Sequence, residues 1–335
     1  MTPQRAQDLI QRFASLHVLV AGDLMLDQFI WGNVSRISPE APVPVVEVTS
    51  ESFYAGGAAN VARNLREFTP GVAVAGLIGA DAPGRRLLDL LNGAGIDSSP
   101  ILQDPALQTT VKTRVIARHQ QVVRIDREAP LVPNAGQSAQ LLSTLAARTP
   151  PYHAVILSDY AKGFLTPDLA AALTAQLPGC VVTVDPSPYN PLPWSGVTAV
   201  KPNLKEARAA AQLPQNASIE EIGAALLEKW GTAMVLVTLG ENGMMLFDGA
   251  EPYHTPTRAH EVFDVSGAGD TAIAVFTLGL AAGATSREAA ELANHASGIA
   301  VGKLGTATVS PEELLESLSG AAPQVRPPLN PEPPR

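Results

Sequence analysis

His153-Ala-Val-Ile-Leu157, Thr166-Pro-Asp-Leu-Ala-Ala-Ala-Leu-Thr-Ala-Gln176 and Cys180-Val-Val-Thr-Val184 follow one another with short breaks between them. A short apolar run, a segment of helix length and a second valine-rich run predict strand, helix, strand. Two strands joined through a helix lie parallel, because only a long crossover returns the chain to the same edge. The pattern repeats outward. His17-Val-Leu-Val-Ala-Gly22 predicts a buried strand, Gly56-Gly57 opens a helix to about Phe68, Val72–Leu77 is a strand and Pro83–Asn92 a helix. Downstream come helices over Asn203–Ala211 and Ile219–Trp230 and a strand over Met234–Thr238. The fold class is therefore α/β, a mostly parallel central sheet with helices on both faces.

Two segments break the alternation. Phe29–Val48 is rich in proline and β-branched residues, with Val43-Pro-Val-Val-Glu-Val48 as a short strand. Thr109–Arg118 and Val122–Arg127 are strand-like runs joined at His119-Gln120, which predicts a hairpin. Together these segments, at about 29–50 and 108–128, are expected to form a small β-sheet lid on one domain spanning 1–318. The proline-rich stretch 319–335 is expected to be a disordered tail.

Composition removes whole classes of function. Of 335 residues, 46% are hydrophobic and 16% charged, enough to bury a sizeable core. The formal net charge of −9 argues against a general nucleic-acid binder. The single cysteine, Cys180, excludes an internal disulfide framework and a cysteine-based zinc site. The longest apolar stretch, near Ala272–Gly283, is too short to span a bilayer. With no leader-like N-terminus, the expected location is the cytoplasm.

The sharpest motif is Asp264-Val-Ser-Gly-Ala-Gly-Asp270, followed by an apolar helix from Thr271 to Ala282. Glycines at a helix start let backbone amides approach an anion, and the helix dipole favours negative charge there. A carboxylate beside a bound phosphate is repelled unless it works, and the work that fits Asp270 is general base for an attacking hydroxyl. The dipole is expected to keep it ionised at neutral pH. A glycine turn with a helix-start acid is the plainer alternative. Gly267-Ala-Gly269-Asp-Thr-Ala272 matches a dinucleotide pattern, but no second strand with an acidic end follows. Gly298-Ile-Ala-Val-Gly302-Lys303 resembles a phosphate loop, but is one residue short and has Leu304 where a hydroxyl is needed.

Other constellations are weaker. Gly56-Gly-Ala-Ala-Asn60 lets a ligand approach the backbone, with Asn60 offering donor and acceptor; a capped helix start is the alternative. Asp23 and Asp27 follow the first strand, at the edge where α/β sheets bind ligands. Lys112, Arg114 and Arg118 share one strand parity, and Arg124 and Arg127 follow. They read as a phosphate clamp, or else as a charged edge strand that resists aggregation. Asn203 and Glu206 share a helix face and could hold magnesium through water, or simply cap the helix. Ser158-Asp-Tyr-Ala-Lys-Gly163, Thr238-Leu-Gly240 and Asn242-Gly243 end strands facing the same edge.

Taken together, these residues resemble the ribokinase-like (PfkB) carbohydrate kinases over about residues 16–318. The two signatures, Gly-Gly-Ala-Ala-Asn60 and Asp264–Asp270, fall in that family's order. Within it, Ser35-Arg-Ile-Ser-Pro-Glu-Ala-Pro-Val-Pro-Val-Val46, Ser158–Gly163 and Val301-Gly-Lys-Leu-Gly-Thr-Ala-Thr-Val309 are similar to the D-glycero-β-D-manno-heptose-7-phosphate kinases. The resemblance implies ATP and Mg2+, with K+ as a further candidate, and phosphorylation of a sugar phosphate at its anomeric hydroxyl. It implies Asp270 as base and Gly267, Ala268 and Gly269 as anion hole. Asn203 and Glu206 would organise magnesium, and Thr238, Gly240, Gly243 and Asn294 would border the nucleotide. Asp23, Asp27, Gly57 and Asn60 would hold the sugar, and Lys162 is a further substrate-binding candidate; Lys112, Arg114 and Arg118 are the candidates for its phosphate.

A homodimer through the lid is expected, and no nucleic-acid or membrane partner. Many relatives carry a C-terminal nucleotidyltransferase domain; this chain has no His-x-Gly-His and is expected to be a kinase domain alone. Two departures stand out. Asp185-Pro-Ser187 replaces the Asp-Pro-Lys of heptose kinases, and Thr238-Leu-Gly240-Glu241 is the general family form. They leave room for another sugar or sugar phosphate. A non-catalytic regulator would be marked by loss of the base or anion hole, and both are present.

Overall fold

The alternation of apolar runs and amphipathic segments resolves into two sheets in the computed structural model, which describes residues 1–117, 120–177, 179–258, 262–303, 305 and 307–319. In chain order the elements are α1 (Pro3–Phe13), β1 (His17–Gly22), β2 (Leu24–Ile37), β3 (Pro44–Gly57), α2 (Ala58–Arg66), β4 (Gly71–Gly79) and α3 (Ala82–Gly93). Next come β5 (Ile101–Asp104), β6 (Thr110–Ala117), β7 (Gln120–Arg127), α4 (Ala135–Ala146), β8 (Ala154–Ser158), α5 (Pro167–Gln176), β9 (Val181–Asp185) and β10 (Ala199–Val200). The chain continues through α6 (Leu204–Ala211), α7 (Ile219–Trp230), β11 (Met234–Thr238), a 3-10 turn at Gly240–Asn242, β12 (Met244–Phe247) and β13 (Tyr253–Thr255). It closes with α8 (Ala268–Ala281), α9 (Ser286–Ala300) and α10 (Pro311–Leu318).

The large sheet has nine strands in the order β13-β12-β11-β10-β9-β8-β1-β4-β5. All neighbours are parallel except the β11–β12 and β12–β13 pairs at one edge. Alternate residues of β1 feed two cores. Val18 and Val20 pack with α1, α2 and α8, whereas Leu19 and Ala21 pack with the face carrying α4, α5 and α7. This is the period of two that a sheet buried on both faces demands. Helix α8 is buried over every residue from Thr271 to Gly279. That explains its lack of a polar face: the sheet lies on one side, and α9 and α2 on others.

The lid is a four-stranded sheet in the order β3-β2-β6-β7. β2 pairs antiparallel with β3 and parallel with β6, and β6 pairs antiparallel with β7. It is larger than the sequence suggests. Instead of one short strand near Val43, two fourteen-residue strands run from Leu24 to Ile37 and from Pro44 to Gly57. Of the prolines that obscured this, Pro39 and Pro42 sit in the turn between them and Pro44 opens the second, and breaks in register at Trp31/Gly32 and Val34/Arg36 interrupt the alternation. The hairpin of β6 and β7 lies where predicted; Arg118 and His119 at its turn fall outside the described residues, as does the tail from residue 320.

Candidate active site

Parallel strands deliver their C-terminal ends to one edge, and five adjacent ends build this site. Asp23 follows β1, Ser158–Gly163 continues β8, Asp185 ends β9, Lys201 follows β10 and Thr238 ends β11. At about 4.8 Å per strand, the row is roughly 19 Å wide, room for a nucleotide and a sugar end to end.

Gly267, in the left-handed region at φ 81°, caps α8 with no side-chain partner; the Ala268 amide donates weakly to Val265 O at 3.4 Å, while those of Gly269 and Asp270 lie in the first turn, where a helix supplies no acceptor of its own. Asp270 stands in that turn with both oxygens engaged. Asn60 Nδ2 donates to Oδ2 at 2.6 Å and the Tyr160 hydroxyl donates to Oδ1 at 2.7 Å. Asn60 is buried on α2 because Gly57, at φ 61°, turns the chain from β3 into that helix. Its own Oδ1 has no protein partner. Burial pushes the Asp270 carboxyl up to about 6 and nearby Asp185 adds to this, while Asn60, Tyr160 and Lys201 pull it down. The helix dipole does not dominate, but the group is still mainly ionised at neutrality.

Lys201 is buried beside this turn. Its Nζ lies 3.0 Å from Asp185 Oδ1, and a Cβ built on Gly269 would sit 3.6 Å from it. The sequence offers no role for Lys201, and it offers Tyr160 only as part of the stretch Ser158–Gly163. Asp185 is raised by burial, against Lys201. Glu206 is also raised by burial, with Asp185 contributing. Asn203 and Glu206 form a capping box on α6: Asn203 N donates to Glu206 Oε2 at 2.8 Å and Glu206 N donates to Asn203 Oδ1 at 3.0 Å. Among the described residues no cluster of three acidic, histidine or cysteine side chains could directly enclose a metal. Three carboxyls, Asp185, Glu206 and Asp270, nevertheless share one lysine. That surplus of negative charge suits a hydrated cation held through water rather than an inner-sphere site.

At the β1 end of the row, Asp23 is buried and both of its carboxylate oxygens are engaged. It accepts from Tyr160 N at 2.8 Å, Lys162 N at 3.0 Å and Phe164 N at 3.0 Å, so it shapes the loop after β8. Asp27 pairs closely with Arg114, whose guanidinium also lies 5.3 Å from the Phe29 ring centre. Lys112 pairs with Asp126 at 3.2 Å and Glu128 at 3.3 Å, and Lys162 pairs with Glu128 at 2.8 Å. The basic strand therefore carries its own counter-ions. Against burial, Ser266 and the Gly305 amide hold the Asp264 carboxyl below its usual range, and Arg114 adds a smaller pull.

At the other end, Thr238 is bridged to Asn203, and Gly240 and Gly243 take φ 61° and 83° around the 3-10 turn. A Cβ on Gly243 would meet Thr255 O at 2.0 Å, so only glycine fits. Asn294 on α9 is buried and donates to Pro256 O at 2.7 Å. The rejected phosphate loop is not a loop: Gly298 lies inside α9, and Lys303 Nζ bonds Thr308 O and Glu313.

This architecture is shared with solved carbohydrate kinases. Arabidopsis thaliana ribokinase, solved with ribose and ATP, superposes at TM-score 0.70 with 20% identity over 90% of this chain and 98% of that one. Escherichia coli phosphofructokinase-2, solved with substrates and products, superposes at 0.73 with 20% identity over 91% and 99%. The fold is thus ribokinase-like, a class of α/β enzymes with a small sheet beside the large one. Residues 15–313 match the pfkB family carbohydrate kinase model, and the chain belongs to that family. Curated relatives include the Bifunctional protein HldE of Trichlorobacter lovleyi, 45% identical over 325 residues, and that of Magnetococcus marinus, 45% identical over 315. The matches cover 95% and 91% of this chain but only 66% and 64% of those proteins, so the chain spans about two thirds of their length.

Proposed function

We propose that this kinase transfers the γ-phosphoryl group of ATP to the anomeric hydroxyl of D-glycero-D-manno-heptose 7-phosphate, with Asp270 as general base. The observation that carries the reading is the placement of Asp270: an ionisable carboxylate, oriented by two donors, in the first turn of a helix, where the Gly269 and Asp270 amides have no acceptor within the helix. In the transfer, Asp270 takes the hydroxyl proton, the sugar oxygen bonds to the γ-phosphorus, and the bond to the β-phosphate oxygen breaks to release ADP. The amides of Ala268 and Gly269 would receive the charge on the transferring group, and Lys201 lies beside them. Asn203 and Glu206 would hold Mg2+ through water, and that ion supplies charge neutralisation to the phosphates. Thr238, Gly240, Gly243 and Asn294 would border the nucleotide.

Asn60, Gly57 and Asp27 would face the sugar, and Arg114, with Lys112 and Lys162, its phosphate. The heptose assignment is supported by the lid and Ser158–Gly163 sequences and by the names of the relatives. One observation favours a second reading, a kinase of another sugar phosphate. Ser187 stands where heptose kinases carry lysine, and its hydroxyl accepts from Tyr189 N at 3.3 Å. A homodimer through the lid completes the proposal. No helix among the described residues is long and apolar enough to cross a membrane.

The test is ADP release with ATP and magnesium across heptose 7-phosphate, fructose 6-phosphate, ribose and fructose, with phosphorus NMR to place the new phosphate. Turnover on heptose 7-phosphate with an anomeric product is the expected result; turnover on another sugar alone overturns the substrate. Asp270→Asn should keep ATP affinity and lose about 100-fold or more in kcat. Near-normal turnover in that variant removes the base.

A further inference from the structure

We propose that Tyr160 is the positioning residue for Asp270, its phenol fixing the carboxylate's orientation and holding it in the ionised form. This rests on Asp270 being the base. The geometry is unusually committed to one hydroxyl. Tyr160 Oη donates to Asp270 Oδ1 at 2.7 Å across 110 residues of sequence, opposite Asn60 on Oδ2. The two donors define the carboxylate plane and leave each oxygen a lone pair for the incoming hydroxyl.

The loop that presents Tyr160 is held from both sides. Asp23 accepts three of its backbone amides. The next residue, Ala161, sits at φ 55°, a conformation non-glycine residues keep only when their surroundings dictate it. Its amide donates to Asp159 Oδ1 at 2.8 Å, and Asp159 Oδ2 accepts from Asn190 at 3.0 Å. Phe164 and Leu165 then anchor the loop in the core. A flexible surface turn needs none of this.

The groups facing Asp270 explain what the phenol adds. Asn60 comes from α2, Tyr160 from the loop after β8, Asp185 from the end of β9 and Lys201 from beyond β10. Burial and Asp185 favour the protonated acid; the two hydrogen bonds and Lys201 favour the carboxylate. Tyr160 itself remains a donor at working pH, because burial and the charges of Asp270, Asp185 and Asp27 push its own ionisation far up. Removing its hydroxyl tips the balance toward an acid that cannot accept a proton.

The experiment compares pH–rate profiles of the full chain, with ATP and the sugar from the panel that turns over, for wild type, Tyr160→Phe, Asp270→Asn and protein carrying 3-fluorotyrosine at position 160. Tyr160→Phe should lower kcat about tenfold or more with KM for ATP and sugar within about twofold, and its acid limb should move to higher pH. The fluorinated ring, a stronger donor of nearly the same shape, should keep most activity and move the acid limb lower. Wild-type kcat and limb in Tyr160→Phe overturn the proposal, as does a fall in rate with both limbs unmoved. An active Asp270→Asn variant instead overturns the base assignment, whatever Tyr160 does.

Discussion

Asp270 and Asp159 show how one cause, loss of water around a carboxyl, serves different ends. Asp270 is raised to about 6, so its carboxylate form is populated above that pH and lost below it. The acid limb of kcat/KM should therefore fall near pH 6 with a slope of one proton, and a flat profile across that region would remove Asp270 as the titrating base. Asp159 is raised to about 7 by burial, with Asp23 adding and the Ala161 amide opposing. Its folded form binds a proton more tightly than the unfolded chain, whose carboxyl titrates near 3.8. The stability it contributes is thus present at low pH and lost as pH rises from about 4 to about 7. Asp159→Asn should flatten that decline in thermal unfolding measured against pH; an unchanged decline places it elsewhere. At this scale Asp270 and Asn60 were legible because each sits in a short glycine motif. Tyr160, Lys201 and Asp185 were not, because nothing local marks a side chain whose meaning comes from a partner on another strand. The part Asp23 plays in seating the loop after β8 is hidden for the same reason: its three amide partners lie some 140 residues away along the chain.

The elements divide the same way. Strands and helices of the large sheet were readable because burial on both faces leaves continuous apolar runs. In the lid, the β6–β7 hairpin was readable as well, but the full length of β2 and β3 was not, because they are an exposed ribbon whose register breaks twice. Gly57 joins the two regimes. At φ 61° and ψ −136°, a Cβ there would meet Asp23 O at 2.4 Å. Gly57→Ala should cost about 1–3 kcal/mol and lower the melting temperature, with activity falling further because α2 carries Asn60. On β6, Arg114→Ala should raise KM for the sugar phosphate and strand Asp27 without its partner, leaving KM for ATP alone. Unchanged sugar affinity would make β6 a charged edge and nothing more.

Over the whole molecule, the two edge strands of the lid, β3 and β7, carry exposed apolar side chains. Val48 on β3 is 55% exposed, and Val123 and Ile125 on β7 are 46% and 53% exposed. Such edges invite a second copy. Light scattering should give a dimer, and Ile125→Lys should shift it toward monomer; a monomeric wild type ends the idea. A single residue, Asp23, separates β1 of the large sheet from β2 of the lid. β2 extends fourteen residues beyond it, roughly 45 Å of arm at strand rise. Asp23 is therefore a fulcrum as well as a joint. Over such an arm a rotation of a few degrees at Asp23 becomes a displacement of several ångströms at the tip, so the carboxylate that seats the loop after β8 belongs to the same residue that sets the angle at which the arm leaves the large sheet.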